Sequence, residues 1–149
     1  MRICRRGRGD PYHPAIGSAR VLGAALWLID LHTGWAWVVI VGNAMAGGWA
    51  LAAHWWEPLR TRALWWFTIA AQLTIFVQAG LGVGLVAGLG IEPPPFHLFY
   101  GFVAIIAVGI LYSYRSTSAW VRRRVYLVYG LGGLFLMALG IRALLVGAR

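Results

Sequence analysis

Charge is what this chain has least of. Only 11% of its 149 residues are charged, thirteen basic and four acidic, while 60% are hydrophobic. A soluble domain carries about 25% charged residues. So few charges cannot coat a globule this apolar, which excludes the soluble, disordered and fibrous classes and leaves a membrane protein. Lysine is absent, so every basic residue is arginine. Arginine codons are GC-rich and lysine codons AT-rich, so base composition accounts for that bias. The net charge of +9 does not imply a nucleic-acid partner. The arginines stand in short clusters between long uncharged runs, as the flanks of membrane spans do. Cys4 is the only cysteine, which excludes an intrachain disulfide and a cysteine metal cage. There is no P-loop, His-Glu-x-x-His, nucleophile elbow or Cys-x-x-Cys. No acid sits in the middle of a span, and no internal repeat is visible, which argues against a secondary transporter.

What the chain does have is length without charge. Uncharged runs extend from Leu31 to Trp56, Ala63 to Ile91, Pro93 to Tyr114 and Val125 to Ile141. A helix needs about 20 apolar residues to cross the hydrocarbon core. The fourth run stops at Arg142 and resumes as Ala-Leu-Leu-Val, and an arginine near a helix end can snorkel to the headgroups. Lipid cannot satisfy free backbone groups, and no period-two pattern suggests a barrel. The reading is therefore all-α: an up-down four-helix transmembrane bundle, with helices near 33–55, 64–88, 97–115 and 125–146. The connections are short, so successive helices are expected to be antiparallel neighbours. Trp55, Trp56, Trp65 and Trp66 flank the first connection and Tyr112, Tyr114 and Trp120 the third, as an aromatic belt does. Gly80, Gly84 and Gly88 repeat every four residues and form a small-residue face for packing, within the chain or against another.

Arginine placement sets an expected topology. Arg60, Arg62, Arg115, Arg122, Arg123 and Arg124 fall in the first and third connections, and the second has none. Loops 57–62 and 115–124 then face the cytoplasm and loop 89–96 the outside of the cell membrane. Residues 1–20 form a basic N-terminal tail, read as disordered and outside the membrane domain 21–149. Its five arginines would lie outside, against the rule. Either the tail translocates regardless, or the natural start lies downstream, for instance at Val21. No cleaved signal peptide is expected, because the apolar stretch from Val21 to Ile29 is interrupted by Asp30 and lacks a cleavage site.

The polar residues in or beside the spans are Asp30, His32, Asn43, His54, Gln72, Gln78, His97 and Arg142. Intramembrane polar groups are functional candidates by default. His32 opens the first helix and His97 the third. These helices run parallel in an up-down bundle, so both histidines reach one membrane side at matched depth. Two such imidazoles could supply both axial ligands of a haem b iron. Asp30 and Glu92 are near enough in sequence to support the ligands or the propionates. Gly101 lies one turn from His97, and Gly34 and Ala36 lie near His32, where small residues leave room for a flat macrocycle. The alternative is an interfacial histidine with a wet polar tip, the preferred reading for His54 beside Trp55 and Trp56. Asn43 and Gln72 are expected to make interhelical hydrogen bonds. Gln78 either does the same or faces the haem.

The stretch Gln78-Ala-Gly-Leu81-Gly82, followed by Pro93-Pro94-Pro95-Phe96-His97, resembles a segment of the haem A synthase family. The resemblance covers roughly residues 27–102. It implies a four-helix half-unit in which two histidines at the outer ends of two helices, with one helix between them, bind haem. His32 and His97 match that arrangement. Asp30 stands near the family's acidic position, though at a different offset. The chain has half the family's length and lacks its second histidine pair, so haem A synthesis is not carried over. What the resemblance implies is a b-type haem held by His32 and His97, with Asp30, Gln78 and Gly101 around it, for electron transfer or haem handling. The competing reading is a cofactor-free accessory or scaffold subunit, in a homo-oligomer or larger membrane complex, that uses the Gly80/Gly84/Gly88 face.

Overall fold

The computed structural model describes residues 14–148. Five helices follow in order: α1 Pro14–Trp55, α2 Arg62–Val83, α3 Pro95–Thr117, the short α4 Ala119–Arg123 and α5 Val125–Gly147. A π-helical turn, Gly84–Gly88, extends α2, and a 3-10 turn, Glu57–Leu59, joins α1 to α2. No strand occurs among the described residues. Four stretches are long and apolar enough to cross a bilayer: Val21–Trp55, Arg62–Gly88, Pro95–Arg115 and Val125–Gly147. All exceed the roughly 20 residues required. The chain is thus an all-α, four-helix, multi-pass integral membrane protein.

The helix ends follow local chemistry. Arg60 closes the C-terminus of α1: its Nε donates to the Ala53 carbonyl at 2.9 Å, and a terminal nitrogen donates to the His54 carbonyl at 3.0 Å. These carbonyls have no partner within the helix. The Thr61 hydroxyl accepts from the Leu64 N–H and caps α2, and the Ser118 hydroxyl accepts from the Val121 N–H and caps α4. Pro94 is extended, with φ −55° and ψ 139°, and Pro95 sits at the first position of α3, where its missing N–H costs nothing. Gly90 takes a positive φ of 65°, which glycine adopts without strain, and so turns the chain out of the π-helical end of α2.

Two expectations are revised here. Helix one does not begin near residue 33. It runs unbroken from Pro14, taking in residues 14–20 and Asp30. Asp30 is exposed, so its carboxylate does not interrupt the helix. The tail reading for residues 1–13 lies outside the described residues. The second revision concerns packing order. α1 packs on α2 and α5, and α5 packs on α3, but α2 and α3 scarcely touch although they are consecutive. A shallow groove of about 420 Å³ separates them, lined by Leu73, Phe76, Ile105 and Tyr112 among others.

The reason is the α1–α5 seam. A Cβ added at Gly47 would stand 2.8 Å from the Leu134 nitrogen and 2.9 Å from the Gly130 carbonyl oxygen. One added at Gly133 would stand 2.8 Å from the Gly47 Cα. The two backbones meet here, and Ala46, Ala50 and Ala53 continue the buried small-residue side of α1. Lipid gives no hydrophobic drive between helices, so close van der Waals packing must hold them. The expected Gly80/Gly84/Gly88 face does not do this within the chain. Gly80 and Gly88 meet nothing within 4 Å, and Gly84 meets only the Leu28 side chain at 3.8 Å. Large residues such as Trp37, Trp66, Phe102 and Phe135 point outward, as lipid-facing side chains do.

Candidate functional site

His32 lies on α1, and His97 lies in the first turn of α3, just after Pro95 and Phe96. The structure brings their rings together, with centroids 5.8 Å apart and planes inclined by 57°. Both residues are partly buried.

Each ring is held by backbone and by a glycine. His97 Nδ1–H donates to the Ala143 carbonyl on α5 at 2.9 Å. That bond fixes the tautomer and leaves Nε2 with its lone pair, the arrangement in which histidine ligates. A Cβ at Gly147 would stand 2.7 Å from His97 Nδ1, so a side chain there would displace the ring. On the other side, Gln78 Nε2 donates to the His32 backbone carbonyl at 3.0 Å and lies 3.3 Å from His32 Nε2. Gly82, one turn along α2, has its Cβ position 3.3 Å from His32 Cε1. His32 Nδ1 and Gln78 Oε1 are both buried without a hydrogen-bond partner.

Of the residues expected at this site, His32, His97 and Gln78 come together. Gly101 faces open space, with nothing within 4 Å of an added Cβ, and so does Gly34. Asp30 and Glu92 are exposed, and His32 Nδ1, the nitrogen a supporting carboxylate would take, is unpartnered. Arg142 is exposed at the same end, with its guanidinium 5.9 Å from the Tyr100 ring centre. His54 lies at the opposite end, edge-on to Trp55 at 5.0 Å. Asn43 makes the expected interhelical bond, donating to the Ala71 carbonyl at 3.1 Å. Gln72 does not: it is buried, and both its side-chain polar atoms lack partners.

The sequence reading missed the Ala143 carbonyl and Gly147. Neither carried a signal, because Ala143 to Gly147 reads only as the apolar end of a span. Among the described residues there is no group of three or more His, Cys, Asp or Glu that could hold a bare metal ion. Two imidazoles suit a metal whose other positions are filled by a macrocycle better than one needing four protein ligands.

No protein-family model matches the chain, and neither a curated protein nor a solved structure does. What the fold itself defines is a small multi-pass integral membrane protein.

Proposed function

We propose that the chain holds one b-type haem between His32 and His97 and serves electron transfer or haem handling. The observation that carries this is the 5.8 Å separation of two imidazoles from helices α1 and α3. Two metal–imidazole bonds of about 2 Å each, with about 1 Å from ring centre to nitrogen at either end, ask for centroids about 6 Å apart. His97, anchored through Nδ1, presents Nε2 with its lone pair. Gly82 and Gly147 leave space where a Cβ would press on the rings. Arg142, at the same end, is suited to a propionate. When bound, the group supplies a reversible one-electron couple. The protein's own part is to hold the two imidazoles in place, through Gln78 for His32 and the Ala143 carbonyl for His97.

This reading keeps from the haem A synthase resemblance only the histidine pair. It places the histidine-bearing end outside the cell membrane and the arginine-rich end in the cytoplasm. A second reading, a cofactor-free accessory subunit, draws on Gly80 and Gly88, which are left open on α2. One experiment separates them. The protein is expressed with haem supplied, purified in detergent, and its visible spectrum recorded before and after reduction. A b-type spectrum is expected, disturbed by His32→Ala and by His97→Ala but not by His54→Ala. A colourless preparation sinks the haem reading and leaves the accessory one.

A further inference from the structure

The end of the bundle opposite the histidines is strongly unbalanced in charge. Arg60, Arg62, Arg115, Arg122, Arg123 and Arg124 lie there. Glu57, at the same end, pairs with Arg60 at 3.2 Å. Three of the arginines lie over aromatic rings. The Arg115 guanidinium stacks 4.4 Å from the Trp65 ring centre and 5.6 Å from that of Tyr129. Arg60 lies 5.3 Å from the Tyr126 ring and Arg124 5.1 Å from the Trp120 ring. An arginine stacked on an aromatic face keeps its N–H edge in plane and available for bidentate contact with an oxyanion. Aromatic residues of this kind mark headgroup depth.

Arg115 and Arg122 converge. With Val125 they line a hollow of about 280 Å³ at the junction of α3, α4 and α5. α3 ends at Thr117 and the short α4 follows after Ser118, so Arg115, Arg122 and Val125 come from three successive helices.

We propose that this hollow binds the phosphate of an anionic membrane phospholipid. The ligand is a phosphate oxyanion, and the lipid is the source that the location favours. Val125 and the span above it offer an apolar wall to the acyl chains, and the stacked Arg115 offers its fork at headgroup level. Basic hollows between membrane helices take lipid headgroups on these terms. The site is independent of the histidine pair, which lies at the other end of the same helices.

The test uses the full-length protein in a neutral detergent. It is titrated with short-chain phosphatidylglycerol, with short-chain phosphatidylcholine and with sodium phosphate, and tryptophan fluorescence is followed, since Trp65 underlies Arg115. Phosphatidylglycerol is expected to bind and phosphatidylcholine to bind at least tenfold more weakly. One arginine near a charged headgroup is worth about 1 kcal/mol, or about fivefold in affinity. Arg115→Gln and Arg122→Gln should each lose about that factor, and Arg123→Gln, outside the hollow, clearly less. Arg122→Gln is an exposed change and carries the test if Arg115→Gln fails to fold. Equal binding of the two lipids overturns the proposal. So does saturation by inorganic phosphate at the lipid's own concentration, which makes the hollow a free-anion site. An Arg123→Gln loss equal to that of Arg122→Gln reduces the effect to diffuse surface charge and overturns it too.

Discussion

Gly47→Ala adds a single methyl group at the point where α1 and α5 meet. Its carbon would lie 2.8 Å from the Leu134 nitrogen, 2.9 Å from the Gly130 oxygen and 3.1 Å from the Gly133 carbonyl carbon, whereas ordinary contact begins at 3.4 Å. All three are backbone atoms, so no side chain can rotate away, and the helices must part by roughly half an ångström. A gap of about 0.5–1 Å forfeits about a quarter to a half of each contact, and each contact is worth about 0.1–0.2 kcal/mol. Spread along the seam from Ala46 to Ala50, that loss matches the usual overpacking cost of about 1–3 kcal/mol. Alanine recovers at most about 1 kcal/mol of helix propensity. A net destabilisation of roughly 1–2 kcal/mol is expected. The measurement is reversible unfolding in mixed micelles with increasing dodecyl sulfate, followed by circular dichroism. Gly80→Ala is the internal comparison. It brings the same propensity gain but meets nothing within 4 Å, so its stability should be unchanged or raised. Gly133→Ala presses on the same seam from the other side, and the double variant should cost less than the sum, because the first methyl has already opened the gap. If Gly47→Ala were as stable as Gly80→Ala, the α1–α5 seam would not be what holds the bundle.

Two further changes probe the buried polar groups. Gln72 is 2% exposed and neither of its amide atoms has a partner, so Gln72→Leu should leave the bundle as stable or stabilise it by about 1–3 kcal/mol, the cost of an unsatisfied buried group; a clear loss in the same unfolding assay would mean that the amide is satisfied by internal water. Gly147→Ala should break the His97–Ala143 hydrogen bond, because its Cβ would stand 2.7 Å from Nδ1; nitrogen-15 spectra of the imidazole are expected to show a change of tautomer population at His97, and an unchanged spectrum would refute the role given to that glycine.

The helix pattern was legible because hydrocarbon imposes it. Uncharged runs must be helical and about 20 residues long. Connections announce themselves through Arg60, the Pro93–Pro95 run and the arginines after Ser118. The first helix was read short because Asp30 looked like a terminus. A carboxylate interrupts a span only inside the hydrocarbon, and at an exposed position of a helix that projects past its neighbours it need not. The packing order was not legible, because depth can be counted along a sequence but rotation about a helix axis cannot. Gly80, Gly84 and Gly88 gave the most regular spacing, yet the seam formed at Gly47, Gly130 and Gly133, where glycines on two distant helices met at one level. Ala46, Gly47, Ala50 and Ala53 carried the cue in their spacing of one, three and three.

The same distinction bears on the histidines. Their matched depth could be counted from the sequence, whereas their approach to 5.8 Å depended on which helices the seam brought together. By joining α5 to α1 along small residues, the seam sets α3, which rides on α5, within reach of α1 at the far end. His97 is fixed to α5 through Ala143, and His32 is fixed to α2 through Gln78. Four helices therefore define the gap between the imidazoles, and their spacing is set by packing at the centre of the bundle. A pair of imidazoles that met by packing alone would keep the cost of the buried, unpartnered His32 Nδ1, about 1–3 kcal/mol.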